Sequence, residues 1–347
     1  MTSNLECALE KSQLKSCSIK ARYHQTILRC HILPTSDSIN YMNHHILFHK
    51  SFYLLYGHMY DVLKYFQLCR ILYIFNFRNS FSMPEEVSRT FYGIKDIDVD
   101  ISEINDGIYR ISGLVPAYQI TFNQFLIDDE NPTLIHTGPI GMYEKIAEKV
   151  KEVIPLERLM HVAFLHFESD EWGGMDFLKA PKTRLLCSDL TSKLNLTGWN
   201  NVPVDHISFW ENEILKTGKK TFRFIMTPHV HNWDSMMMFE ENTKSLFSSD
   251  LFIQPGQHKP VISDDLSKEM IQYYNIVGIF GSEEPVKSTV HKLVKLGPRM
   301  ICPMHGSAFD SSVFPKYVDA LMNEKYAYSN KLLGKELEEE PITTGGL

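Results

Sequence analysis

From residue 101 onward the chain breaks into short runs in which apolar and polar positions alternate. That two-residue period belongs to a strand with one face buried. Gly107-Ile108-Tyr109-Arg110-Ile111-Ser112-Gly113 alternates in this way, as does 119–127, which a turn at 128–132 follows. Thr133-Leu134-Ile135-His136-Thr137-Gly138 comes next, and the three runs predict an antiparallel meander. The period then changes. Met142, Ile146, Val150 and Ile154 share one helical face, opposite Glu144, Glu148 and Lys151, so a helix is expected over 142–154. Glu148 and Lys151 are spaced to pair on its exposed side. Residues 159–165 form an apolar run of strand length, and 178–196 read as helix and strand alternating around 183–187. A strand is expected at 221–226, and a hairpin from 236–239 and 245–248 about Glu240-Glu241-Asn242. Helices follow over 264–277 and 286–296, then a last strand at 299–302, a helix near 314–333 and a charged tail at 335–340. The order of elements places residues 83–347 in the layered α/β (α+β) class.

Residues 1–82 read differently. The first 40 show no sustained period and no helix caps, so 1–82 is expected to be a poorly structured or appended segment. Residues 41–77 are rich in Tyr, Phe, Leu and His, but His49, Lys50, His58, Asp61, Lys64 and Arg70 interrupt them. A spanning helix needs about 20 apolar residues, so no transmembrane span is expected. An amphipathic helix over 53–75 is compatible with the pattern. No signal peptide fits, because the apolar region lies far from the start. Composition turns ordinary at Met83, which could itself be the biological start. The formal net charge is -7, which argues against nucleic acid as a generic partner. Residues 1–82 carry nine Lys/Arg and four Asp/Glu, a local +5, so the remainder stands at -12. Six cysteines (Cys7, Cys17, Cys30, Cys69, Cys187, Cys302) form no C-x-x-C pair and no dense framework. Disulfides and thiolate metal sites are therefore not expected, and a cytoplasmic location fits.

Candidate chemistry lies where the strands end. His166-Phe167-Glu168-Ser169-Asp170-Glu171 follows the apolar run 159–165. If the backbone stayed extended, His166, Glu168 and Asp170 would share one side of it. Nitrogen and hard oxygen donors together suit a first-row metal, Fe or Mn more than Zn. Three further runs end in a His or Asp: Thr227-Pro228-His229-Val230-His231, Ser245-Leu246-Phe247-Ser248-Ser249-Asp250, and Ile301-Cys302-Pro303-Met304-His305. The carboxyl edge of strands is where ligands gather in layered α/β folds.

The series His166, Glu168, Asp170, His231, Asp250, His305 resembles the ligand pattern of the metallo-β-lactamase fold. It is most similar to the diiron domain of flavodiiron proteins and their stand-alone oxygen-binding relatives, over residues 102–312. The resemblance implies a four-layer αβ/βα sandwich and two iron ions, with no catalytic residue beyond the ligands. His166, Glu168 and His231 would hold one iron, Asp170 and His305 the other, and Asp250 would bridge. Hydrolases of this fold carry a second His where Glu168 stands, and the harder carboxylate favours iron. Two departures stand out. Glu171 occupies a position where many members carry a ligating His, so it could coordinate, leave a position open or face solvent. His136 replaces the Asp of the family's L-I-D-T-G segment and reads as a hydrogen-bonded histidine at a strand end. His229, two positions before His231, is a further departure and a candidate supporting donor or alternate ligand, and Asp234 is a candidate to bond the ring N–H of a ligating His. By resemblance the chain binds O2 or NO and could reduce them, as a sensor or oxidoreductase. After His305 only about 40 residues remain, too few for a flavodoxin-like domain, and no phosphate loop is present, so no FMN site is expected. Electrons would come from a separate flavodoxin- or rubredoxin-like donor, and homodimerisation stays open. The alternative is a Zn- or Mn-dependent hydrolase of the same fold. A scaffold with a vestigial site is disfavoured because all six positions are filled.

Overall fold

The computed structural model describes residues 97–337, except 116–118, 175–176, 178–181, 197–204 and 257–258, and the backbone of three strands nearer the N terminus. The chain divides into two compact units, Met1–Asn79 and Ser80–Leu347. The first contains β1 (Ser3–Cys7), β2 (Cys17–His24) and β3 (Ile27–Ile32), an antiparallel sheet in that order. The amphipathic helix expected over 53–75 lies outside the described residues.

The second unit holds two seven-stranded sheets. One contains β4 (Val99–Asn105), β5 (Ile108–Val115), β6 (Ile120–Ile127), β7 (Thr133–Ile135), β8 (His161–Ala163), β9 (Arg184–Ser188) and β10 (His206–Phe209). Strands β5 to β7 form the antiparallel meander that the alternation predicts, β4 extends it by one more antiparallel strand, and β7 to β10 continue it in parallel. Helix α1 (Tyr143–Val153) makes the crossover from β7 to β8, as two parallel neighbours require. Its side-chain pair is Lys149 with Glu152, at 2.7 Å. A one-turn helix, α2 (Ser169–Trp172), follows β8.

The other sheet runs β11 (Ile214–Lys216), β12 (Thr221–Met226), β13 (Met236–Glu240), β14 (Ser245–Ser249), β16 (Met300–Pro303), β17 (Ala308–Asp310) and β15 (Val261–Ile262). Three helices belong with it: α3 (Ser267–Val277), α4 (Glu283–Leu296) and α5 (Phe314–Asn323). The last is shorter than 314–333. At its end Glu324 turns extended, and a small hairpin of β18 (Lys331–Leu332) and β19 (Lys335–Glu336) takes up residues expected to be helix and tail.

Strand alternation decides what each face meets. Phe125 and Ile135 pair across β6 and β7 and point toward the other sheet, where Met238 and Phe247 pair across β13 and β14. Phe125 meets Phe247 edge to face at 5.3 Å, and Phe209 stacks on Phe224 at 3.7 Å. The intervening residues point outward. Leu126 and Leu134 pack with Ile146 and Val150 of α1, and Phe309 stacks on Tyr317 of α5 at 4.3 Å. The run Met236-Met237-Met238-Phe239 is buried throughout because its strand is covered on both sides. Helix, sheet, sheet and helix make the four-layer sandwich of the metallo-β-lactamase fold.

Phe247→Ala should cost about 3–5 kcal/mol, the usual cost of emptying a fully buried aromatic position. A denaturant midpoint unmoved by that substitution would contradict the inter-sheet core.

Candidate metal centre

Strand direction brings the candidate ligands to one edge. β12 and β13 are antiparallel, as are β13 and β14, so β12 runs with β14, and β16 is parallel to β14. Their carboxyl ends therefore coincide, delivering His231, Asp250 and His305. The backbone N–H of Met236, at the start of β13, donates to the Leu165 carbonyl at 2.8 Å and draws the loop after β8 to the same edge.

The three candidates on that loop do not all lie along an extended segment, as alternation alone would have it. The backbone is extended through Glu168 and then turns into α2. His166 and Glu168 stay together, Nε2 to Oε2 at 2.8 Å. The helical turn carries Asp170 round to His305, with Oδ2 3.4 Å from Nε2. Gly173 makes the turn feasible, since a Cβ there would lie 2.2 Å from the Ile140 backbone nitrogen.

Six side chains converge as two groups. His231 Nε2 lies 3.0 Å from Glu168 Oε2 and 2.9 Å from Asp250 Oδ2, which is also 3.4 Å from His166 Nε2. One nitrogen or oxygen atom from each of these four residues falls within 4.8 Å of all the others. The other oxygen of Asp250, Oδ1, faces His305 Nε2 at 3.3 Å. Asp250 thus presents a different oxygen to each group. Glu168 is 41% exposed and forms the rim, whereas His166, Asp170, Asp250 and His305 are buried.

Contacts from behind orient these groups. His305 Nδ1 donates to the Thr121 carbonyl at 2.7 Å, which turns the Nε2 lone pair toward the centre. The next residue is clamped by the opposite sheet: the Gly306 carbonyl accepts from Asn123 Nδ2 at 2.7 Å and Arg110 Nη2 at 2.9 Å. Gly306 has φ +97°, and a Cβ there would lie 2.8 Å from the Gln254 carbonyl oxygen, so glycine is required. His166 Nδ1 lies 2.8 Å from Ser249 Oγ, and Trp172 Nε1 donates to the His166 carbonyl at 3.0 Å. Tyr274 of α3 donates its hydroxyl to the Asp250 carbonyl at 3.0 Å.

The donor set fits a cation. With Nδ1 occupied on His166 and on His305, each Nε2 lone pair points at carboxylate oxygens, an acceptor facing acceptors. The buried Oδ1 atoms of Asp170 and Asp250 have no hydrogen-bond partner among the described residues. Only a proton or a metal ion between them makes the arrangement favourable. As protons, these charges are held tightly. Burial lowers the His166 pKa, but Glu171, Glu168 and Asp250 outweigh it and raise it to about 10. His231 is raised to about 9 despite burial by hydrogen bonds to Asp250 and Glu168. Burial also pushes the Asp170 carboxyl up, while Asp250, despite its own burial, is drawn well below the usual range by His231 and His305.

Three supporting candidates take other places. His229 is exposed on the turn before His231. Asp234 does not bond a ligating histidine. The chain reverses between His231 and Asp234, with Ser235 N–H on the Asn232 carbonyl, and the carboxylate accepts from Thr191 and Asn195. Glu171 does not face solvent: it is fully buried beside His166 and His136. Ser249, Tyr274, Thr121 and Arg110 escape sequence reasoning altogether. Only Ser249 carries a local signal, as the residue before Asp250.

Residues 120–306, more than half of the chain, match the family model described as "ODP family beta lactamase". The rubredoxin-oxygen oxidoreductase of Megalodesulfovibrio gigas is 28% identical over 219 residues, 57% of this chain and 53% of that protein. A nitric oxide reductase of Moorella thermoacetica is 25% identical over 226 residues, 58% and 56% respectively. The solved rubredoxin oxygen:oxidoreductase of Desulfovibrio gigas superposes with a TM-score of 0.58 at 24% identity, covering 64% of this chain and 62% of that one. The chain spans little more than half the length of these two curated relatives.

Two outcomes follow from this geometry. A divalent cation must displace the protons on His166 and His231, so its affinity should rise with pH between 6 and 8, by about tenfold per pH unit for each proton displaced. Isothermal titration in two buffers of different ionisation enthalpy counts those protons. Asp234→Ala should leave metal content unchanged while lowering stability by about 1–3 kcal/mol, since Thr191 and Asn195 lose a buried acceptor.

Proposed function

The chain belongs to the ODP family of β-lactamase-like proteins, and from that membership we propose that it is a non-haem diiron protein that binds O2 or NO. His166, Glu168 and His231 would hold one iron, Asp170 and His305 the other, with Asp250 shared between them. The observation that carries this reading is the division of the Asp250 carboxylate, Oδ2 toward His231 and Oδ1 toward His305. An anionic bridge offsets the repulsion of two cations held close together. Three imidazoles, three carboxylates and no thiolate make the set hard enough to favour iron over zinc.

When bound, two irons would supply the electrons that a diatomic gas needs. The protein's part is to hold the ligands rigidly from behind and to keep the approach open beside half-exposed Glu168. Relatives named as oxygen and nitric oxide reductases support both gases as ligands. The chain acts as a sensor or as the end of an electron chain, with a separate flavodoxin- or rubredoxin-like donor. We place it in the cytoplasm, where the buried free thiols of Cys187 and Cys302 stay reduced. No helix among the described residues is long and apolar enough to cross a membrane.

Purification without oxygen, followed by metal counting and visible spectra before and after air, tests the reading. Two irons per chain and new visible absorption on admitting air are expected. Zinc with a featureless spectrum would overturn it in favour of a hydrolase. Asp250→Ala should lower the count from roughly two to below about one, because the shared ligand is lost, and His231→Ala should weaken one ion alone. Unchanged occupancy in both variants would refute the ligand assignment.

A further inference from the structure

We propose that Glu171 is a positioning carboxylate for His166, balanced from behind by His136, and not a ligand of the metal ion beside Asp170. The inference rests on the two-metal reading above. Both oxygens of Glu171 are engaged on the far side of His166. Oε2 accepts from the His166 backbone N–H at 3.0 Å, and Oε1 accepts from the Ser249 hydroxyl at 2.9 Å. Oε1 also lies 3.2 Å from His166 Nδ1, whose N–H is placed to donate to Ser249 Oγ at 2.8 Å. Nδ1 and Nε2 are on different edges of the imidazole, so these contacts leave Nε2 as the ligating nitrogen. A carboxylate behind a ligating histidine fixes its tautomer and raises its basicity.

A buried carboxylate needs its own compensation. His136 Nε2 lies 3.0 Å from Glu171 Oε1, with both side chains about 1% exposed. His136 is held in turn by its backbone N–H on the Ala163 carbonyl and by Met304 Sδ, 2.9 Å from Nδ1. Positions 136 and 171 are two of the departures from the family pattern that the sequence shows, imidazole for carboxylate at one and carboxylate for imidazole at the other, and in the structure they lie 3.0 Å apart. The exchange keeps a buried pair of the same composition while moving the carboxylate to the side of His166. Asp170, Asp250 and His305 would then be the residues that hold the second ion.

The test titrates the full chain with Co(II), whose visible bands report ligand number and geometry. Wild type should take up two equivalents and Asp170→Ala one, on the His166 side. In the Asp170→Ala background, Glu171→Gln should weaken the remaining ion about 10–100-fold. Ser249→Ala should weaken it less. If Glu171 ligates the ion beside Asp170, Glu171→Gln will leave the ion of the Asp170→Ala protein untouched, and the inference is overturned. Should Asp170→Ala hold no ion, 15N-imidazole NMR of zinc-loaded wild type and Glu171→Gln makes the same choice. Movement of the His166 Nδ1 resonance supports the inference, and movement of the His305 resonances alone overturns it. A wild-type chain that takes up no cation defeats the two-metal reading instead, a result distinguishable from two equivalents that are insensitive to Glu171.

Discussion

The centre is governed by one electrostatic constraint: nitrogen and oxygen lone pairs are gathered at a strand edge with nothing but one another to face. Asp250 sits at the middle, 2.9 Å from His231 through one oxygen and 3.3 Å from His305 through the other. Such a cluster repels itself unless protons or metal ions enter it. Much of the surrounding architecture holds it together regardless. The parallel pairing of β14 and β16 aligns Asp250 and His305, the meander strands grip Gly306 from across the core, and α3 reaches down through Tyr274 to the Asp250 backbone. The two inner faces, filled by Phe125, Phe224, Met238 and Phe247, form the stiff support on which that alignment depends.

How much of this was legible follows from the range of each interaction. The alternation in 107–113 and 119–127 is a local property, and it identified the meander; the helical period of Met142, Ile146, Val150 and Ile154 identified α1 equally well. The candidate ligands were visible as His and Asp at strand ends, and their order along the chain carried the resemblance. What stayed hidden is non-local. His305 bonds the carbonyl of Thr121, 184 positions away, and Arg110 bonds that of Gly306, 196 away. No period in the sequence reports such pairs, because they exist only once the two sheets are packed. Asp234 misled for a related reason: its short distance from His231 along the chain says nothing of the reversal at Asn232, which aims the carboxylate at Thr191.

The family match over residues 120–306 spans the edge that carries the cluster, and local contacts are where that edge would be tuned. Glu171 and His136 are the clearest case. Each position taken alone reads as a loss, of a ligand in one and of a carboxylate in the other, and the 3.0 Å contact between them is what supports reading one as the answer to the other. Function in a fold shared by many chemistries lives at this level of detail.

One feature of the rim has a kinetic meaning. Five of the converging side chains are buried or nearly so, and Glu168 alone is 41% exposed. A carboxylate at the solvent boundary can swing on and off an ion without disturbing the packed wall behind it. If the centre holds two ions as proposed, exchange with the surroundings would be directional: an ion would enter and leave past Glu168, and the group beside Glu168 would exchange faster than the group closed in by Asp170 and His305. Scavenging by a chelator would show two phases, with the inner ion the slow one, so the molecule would pass through a half-loaded form whenever iron becomes scarce.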